Sequence, residues 1–261
     1  MKYIVLSFDD GAVDFKDNAL PILRKYNLFS TINVVSGFVD ATVPVDKNII
    51  SKYSVNPDTR FLSIDDVVEL SSLGFEIANH TNDHRRGSSY ESLSVCDNKI
   101  KDWCGINRTG IVMPKYSKPS SGVLKYMKEV GAPYITYRDW KINLRSLFIK
   151  TAFWKFISLF SHKEFIRYRY LINHCAYKKG NCKKFLRLSI NWRTNPDSLF
   201  KAFSNIPDGY CLTLCFHSIS NDPLRTLYPD GTWSTDKFDA FCKLLSESTD
   251  ISVIKQIEAC E

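Results

Sequence analysis

Short apolar runs alternate with stretches of helical periodicity along this 261-residue chain, and that alternation limits the possible folds more than any other feature. Apolar runs predict strands at residues 2–7, 31–35, 76–79, 110–113, 133–137 and 210–217. Periodic stretches predict helices at about 17–26, 64–73, 90–104, 122–130, 197–203 and 235–246. Strands separated by helices pair in parallel through crossovers, so the expected class is α/β with a parallel sheet or barrel. In such folds the side chains that do chemistry gather at the C-terminal ends of strands. Hydrophobic residues make up 44% and charged ones 24% of the chain, which is ordinary for a globular protein. With no break in composition, residues 1–261 are expected to form one domain.

Residues able to bind metal or move protons fall at those strand ends. The first strand delivers Asp9 and Asp10 onto Gly11, which permits a bend out of the pleat so that adjacent carboxylates can face different groups. His80 and His84 are four apart, and a helical turn or compact loop puts both imidazoles on one side, within reach of one cation. Asp10 would complete a two-histidine, one-carboxylate set with positions open for water and substrate. His217 ends the run Leu212-Thr213-Leu214-Cys215-Phe216-His217. Taken singly, Asp-Asp-Gly reads equally as a capped turn, and the spaced histidines as a surface pair. The combination carries the reading, because three of only five histidines sit at the ends of apolar runs.

Ser7-Phe8-Asp9-Asp10-Gly11, His80-Thr81-Asn82-Asp83-His84 and the run ending in His217 resemble, in order, the first, second and last motifs of the polysaccharide deacetylase family (NodB homology, carbohydrate esterase family 4). The resemblance covers roughly residues 1–137 and 188–261. It implies a distorted parallel (β/α) barrel with fewer strands than the closed eightfold form. It also implies a divalent metal, most often Zn²⁺ or another first-row ion, held by Asp10, His80 and His84. Asp9 would be the general base and His217 the general acid in removal of an acetyl group from an N-acetylamino sugar. A backbone N–H near Tyr116, with Pro114, Trp140 and Trp192, would line the substrate site.

Two departures from the family pattern bear on activity. The family's third motif usually places an arginine two residues before a proline to orient the base; here Val112 stands before Pro114, and Lys115 cannot fork onto a carboxylate as a guanidinium does. The fourth motif, an Asp-Trp pair supporting the acid histidine, has two candidates, Asp139-Trp140 and Asn191-Trp192. Asp139 is preferred, because a carboxylate stabilises a charged imidazole. These departures leave open a non-catalytic, metal- and sugar-binding protein as well as a hydrolase of a non-sugar amide.

The basic character of the chain is concentrated in one segment. Residues 141–190 contain twelve lysines and arginines against one glutamate, so the net charge of +7 belongs to this stretch and the remainder is acidic. It is expected to be an inserted, largely helical basic segment over about 141–187. Within it, residues 147–160 have an apolar stripe at Ile149, Phe153, Phe156 and Phe160. They are too few and too charged to span a bilayer, which needs about 20 apolar residues. Docking on the barrel and peripheral contact with an anionic membrane both fit the pattern. Basic and aromatic residues interleave at 167–170, but no nucleic-acid motif accompanies them, and no nucleic-acid partner is expected. The spacing of His162, His174, Cys175 and Cys182 fits no standard structural zinc pattern. Eight scattered cysteines without a C-x-x-C pair read as reduced core thiols, and no secretory leader is recognisable. The expectation is a cytoplasmic enzyme, peripheral to the membrane's inner face, acting on a lipid-linked glycan precursor.

Overall fold

The first strand, β1 (Lys2–Phe8), is buried on both faces, as a central strand of a parallel sheet must be. Its alternation sorts residues into two layers: Ile4, Leu6 and Phe8 pack outward against the helices, while Val5 faces inward with Cys211 and Ala259. The computed structural model describes residues 1–45, 59–85, 87–136, 171–172, 174–181 and 184–261. The helical segment expected within residues 141–160, and Asp139 and Trp140 just before it, lie outside this set.

Around β1 the parallel strands β2 (Thr31–Val34), β3 (Glu76–Asn79), β4 (Ile111–Val112) and β5 (Ile135–Thr136) follow in sequence order on one side. The edge hairpin-like piece β6 (Tyr177–Lys178) pairs antiparallel with β9 (Tyr210–Phe216), and β9 pairs in parallel with β1 on the other side. Closure comes from two short pieces, β7 (Lys184–Phe185) and β8 (Leu188–Ser189). The first pairs with β5 and the second with β9, so one stretch of six residues bridges the two sides and curls the sheet into a distorted barrel. Two further strands, β10 (Ser218–Ile219) and β11 (Thr232–Trp233), form a small separate pair, and β12 (Ile251–Val253) extends the edge of β1.

Helices cover the outside, and their ends follow from local chemistry. Ser63, Ser89, Ser120, Asn195 and Ser234 each accept a hydrogen bond from a backbone N–H of the first turn, satisfying groups that would otherwise be orphaned. Gly105 and Gly131 end two of these helices in the left-handed conformation, which glycine adopts without a Cβ penalty. Phe8, Phe15, Phe216, Phe238 and Trp233 form a chain of ring contacts between the sheet and the outer helices.

One end of the barrel interior holds a network of paired polar groups. Glu76, nearly sequestered from solvent, accepts from Tyr134 Oη (2.7 Å), Thr31 Oγ1 (2.8 Å) and the Ile257 N–H (2.9 Å). Thr213 donates to Gln256 Oε1, and Gln256 Nε2 donates to Tyr177 Oη, so the C-terminal turn Gln256–Ala259 closes one end. Burial pushes the Glu76 carboxyl upward, since desolvation disfavours the charged form.

Among the described residues, the strands and helices expected outside the 141–187 segment occur, several of them shorter than expected: the 110–113 strand is Ile111–Val112 and the 133–137 strand is Ile135–Thr136. The strands from β6 to β8 and β12 have no counterpart in the sequence reading, because runs of two or three residues carry no periodicity. Among the described residues, one cysteine departs from the thiol reading: Cys260 is disulfide-bonded, whereas Cys96, Cys104, Cys175, Cys211, Cys215 and Cys242 form no disulfide.

Gly110 shows how tightly the barrel wall is packed, since a Cβ there would lie 1.8 Å from Tyr134 Cζ. Gly110→Ala is expected to destabilise the fold by about 1–3 kcal/mol through overpacking, read as a lower denaturation midpoint. An unchanged midpoint would show that Tyr134 can move aside.

Candidate functional site

Alternation along the strands aims a set of side chains at one end of the barrel interior. Ser7 and Asp9 share a face of β1, His80 continues the inward face of Glu76 and Ala78, and His217 continues that of Cys211, Thr213 and Cys215. The chain then bends at Asp10 (φ 74°) and Gly11 (φ 69°). A left-handed aspartate is uncommon, and this one turns the second carboxylate away from the first. The 80–84 segment is a compact loop, with Thr81 (φ 73°) and His84 (φ 52°) also left-handed. Asn79 Oδ1 accepts from the Thr81 N–H (2.8 Å) and Thr81 Oγ1 from the His84 N–H (3.0 Å), while Asn79 Nδ2 donates to Asp97 (2.7 Å) on the helix Tyr90–Cys104. Strained backbone of this kind persists only where neighbours hold it.

Asp10, His80 and His84 come together, their ligand atoms within 4.8 Å of one another and all three residues buried. Asp10 Oδ1 lies 3.0 Å from His84 Nε2 and 3.4 Å from His80 Nε2. His80 Nδ1 is 2.7 Å from the Val112 carbonyl. A carbonyl only accepts, so Nδ1 carries a proton and Nε2 is the nitrogen that faces Asp10. Both Asp10 oxygens are buried without a well-formed hydrogen bond. One buried carboxylate and two imidazole nitrogens gathered this closely are a divalent-metal donor set, and the residues present fit such an ion. Burial alone would lower His80, yet the nearby Asp9 and Asp10 carboxylates outweigh it and raise the imidazole. Burial would likewise raise Asp10, but His84 and His80 hold it well below the usual carboxylate range.

A second group, Asp9, Cys215 and His217, also has ligand atoms within 4.8 Å, but its carboxylate is already engaged. Arg187 Nη1 donates to Asp9 Oδ1 (2.5 Å) and Nη2 to Oδ2 (2.9 Å). Asn33 Nδ2 donates to Oδ1 (2.6 Å), and Cys215 Sγ approaches Oδ2 at 3.4 Å. A cation beside that guanidinium would be repelled, so the Asp10 group is the cation site of the two. Burial would raise the Asp9 carboxyl, but Arg187 and then His80 overcome it and hold it far below the usual range.

Arg187 corrects the expectation that Asp9 lacks a guanidinium partner. Val112 does leave the family's position without one; the barrel's closing stretch supplies it from 178 residues downstream of Asp9. Phe185 and Arg187, two apart, are both buried. Val112 contributes its carbonyl, to His80. Lys115 is exposed.

His217 is largely enclosed, with its ring 4.9 Å from that of Tyr228, and burial lowers it below its ordinary value. Its Nδ1 has no hydrogen-bond partner among the described residues. Asn191 does not supply one: its Oδ1 accepts from the Arg193 N–H at 3.0 Å, in a local turn. Trp192 is 48% exposed and takes an N–H hydrogen bond to the carbonyl of Asp230 (3.4 Å). Asp230 belongs to the Pro229–Gly231 turn, which abuts His217, so Trp192 is at the rim. Pro114 is buried and begins a single turn, Pro114–Tyr116, in which Lys115 is left-handed (φ 53°). Asn33, Cys215, Tyr228 and Arg187 were missed as site residues from sequence; only the inward alternation of β9 through Cys215 could have flagged one of them.

Residues 1–135 match the family model described as polysaccharide deacetylase. Among solved structures, the chain is similar to a family 4 acetyl xylan esterase from Clostridium thermocellum in complex with a cobalt ion, at 14% identity and a TM-score of 0.53, covering 98% of this chain and 89% of that one. It is also similar to the Xyl-CE4 domain of a multidomain xylanase from the hindgut metagenome of Trinervitermes trinervoides, at 13% identity and a TM-score of 0.51, covering 99% and 89%. A third is a mutant of a CE4 family pseudoenzyme with restored enzymatic activity, at 12% identity and a TM-score of 0.53, covering 99% and 67%. Likeness at these identities is a likeness of fold. No curated protein matches the chain in sequence.

Breaking the Asp9–Arg187 pair from one side strands a buried charge. In metal-free protein, Arg187→Ala is expected to cost about 3–5 kcal/mol of stability, and Asp9→Asn in the same chain should restore part of it. Denaturant unfolding of both single variants and the double variant measures the coupling; strictly additive losses would show that the pair is not coupled.

Proposed function

The chain belongs to the polysaccharide deacetylase family, and on that premise we propose that it is a metal-dependent hydrolase that removes the acetyl group from an N-acetylamino sugar of a glycan or glycan precursor. The observation that carries this reading is the pairing of a cation-type group, Asp10, His80 and His84, with an Asp9 carboxylate and a His217 imidazole across one enclosed space. Asp10, His80 and His84 would hold the cation, Zn²⁺ or another first-row ion. When bound, it would supply a more acidic water and a polarised amide carbonyl.

The chain's own residues would do the rest. Asp9, oriented by Arg187 and Asn33, accepts the proton of the attacking water at a carboxylate oxygen. His217, lowered by its burial, takes a proton from solvent and delivers it to the departing amine, and Asp9 afterwards returns the water's proton to solvent. The Tyr116 backbone N–H is the proposed donor to the developing oxyanion, and Pro114 and Trp192 flank the sugar, with Asp139 and Trp140 as further candidates from outside the described residues. The preference for carbohydrate comes from the family.

A second reading is favoured by one specific observation: both Asp9 oxygens are already occupied by Arg187, Asn33 and Cys215. A carboxylate with so many donors is a weak base, which supports a metal- and sugar-binding protein without turnover. The two readings separate on acetate release. For the hydrolase, zinc-loaded chain releases acetate from N-acetylated oligosaccharides, and Asp9→Asn or His217→Ala lowers the rate by about 10²–10⁴-fold. Stoichiometric metal with no acetate from any glycan tested would establish the binder. His84→Ala should weaken metal binding strongly in a metal titration; unchanged affinity would remove His84 from the ligand set.

Location and substrate presentation are part of the same proposal. The buried free thiols support the reducing cytoplasm, and the disulfide at Cys260 is the feature that opposes it. No described helix is long and apolar enough to cross a membrane. The basic composition of residues 141–190 supports contact with an anionic membrane surface, and hence a lipid-linked precursor. Sedimentation with anionic vesicles is expected for the whole chain and should disappear when Lys150, Lys155 and Lys163 are neutralised; failure of the unaltered chain to sediment would end this part of the proposal.

A further inference from the structure

Asp14 Oδ1, Thr59 Oγ1 and Ser218 Oγ are buried without a well-formed hydrogen bond and line a single cavity of about 510 Å³, the Ser218 hydroxyl lying near enough to the Asp14 carboxyl to interact with it. Native proteins pair nearly all buried polar atoms, so poorly paired ones converging on one space call for a ligand or ordered water. Ser218 is only 1% exposed. Asp14 uses its other oxygen, Oδ2, to accept from the Ile219 N–H at 3.0 Å, which fixes the carboxyl while leaving Oδ1 facing the cavity. The cavity's size falls within the range of small-molecule sites, roughly 300–1,000 Å³.

Its chemistry is distinctive. Asp14, Asp17 and Asp222 provide three carboxyls against one guanidinium, that of Arg60. The Arg60–Asp17 pair is loose, at 3.7 Å, and solvent-exposed. Hydroxyls and an acidic excess together suit a polyol carrying a positive charge. Burial pushes the Asp14 carboxyl up to about 7, because nothing positive beside it repays desolvation; a bound ammonium would do so. The cavity also adjoins the reacting centre along the chain: Ser218 follows His217, and Asp14 is four residues past Asp10.

We propose that this cavity is a subsite for a free amino-sugar unit, protonated at its amine, belonging to the glycan whose neighbouring N-acetyl unit reaches Asp9 and His217. The inference deepens the deacetylase reading and rests on it for the identity of the neighbouring unit. The ammonium pairs with Asp14 Oδ1, and sugar hydroxyls meet Ser218 Oγ and Thr59 Oγ1. A chain already partly deacetylated would then bind better than one fully acetylated, so that each turnover prepares the glycan for the next.

The test uses the whole chain after chelation of metal, so that binding is measured apart from catalysis. Glucosamine hydrochloride, N-acetylglucosamine and glucose are titrated separately at neutral pH and followed by NMR. Glucosamine should bind about tenfold or more tightly than the two neutral sugars, in keeping with a charged hydrogen bond. Asp14→Asn, which keeps the acceptor for the Ile219 N–H, should erase that preference while thermal melting stays close to that of the unaltered chain. If Asp14→Asn fails to fold, Ser218→Ala takes its place, and it should weaken glucosamine binding at least threefold. Equal affinity for all three sugars, or an undiminished preference in a folded Asp14→Asn chain, overturns the subsite. Acetate release by the metal-loaded chain without any glucosamine preference defeats the subsite alone; a glucosamine preference without acetate release leaves the subsite standing and defeats the hydrolase.

Discussion

A guanidinium forked onto a buried carboxylate inside a closing barrel is the constraint on which this site depends. Asp9 cannot remain charged out of water without a partner: the idealised cost of burying a carboxylate is of order 20 kcal/mol, and several remain after relaxation. Arg187 meets that requirement with two parallel hydrogen bonds, and Asn33 adds a third. Because the arginine sits between β7 and β8, the same six residues that close the sheet also fix the carboxylate. Barrel closure and site assembly are therefore one event, and a defect in either should be felt in the other.

The two carboxylates next to one another have been given opposite surroundings. Asp9 points to donors and is satisfied, whereas Asp10 points to imidazoles and is not. The left-handed turn at Asp10 and Gly11 makes that division possible. On the histidine side, the Val112 carbonyl fixes the tautomer of His80, and the Asn79 to Asp97 contact ties the loop to an outer helix. Ordering these groups before any ligand arrives is what a site needs if its geometry is to be held to a fraction of an ångström.

What could be read from the sequence was whatever is local. Asp9, Asp10, His80, His84 and His217 each stand at the end of an apolar run, and spacing alone put them at one end of a parallel sheet. The long strands β1 and β9 and the helices longer than eight residues were equally plain, because periodicity needs length. Arg187 was invisible for the opposite reason. Its partner is 178 residues away, its strand pieces are two residues long, and it stands in a basic stretch that reads as an inserted segment outside the barrel. The absence of an arginine before Pro114 was visible; that a different strand had taken over the task was not. The family's pattern thus pointed to the Asp9 carboxylate and not to the guanidinium that holds it.

The Asp9–Arg187 pair is tested most directly by acetate release from metal-loaded Arg187→Lys chain. Lysine keeps the positive charge but loses the fork, so the account predicts a fall in rate of roughly 10–100-fold, the scale for losing an orienting partner, with metal stoichiometry unchanged. Turnover equal to that of the unaltered chain would contradict the claim that the guanidinium geometry positions Asp9.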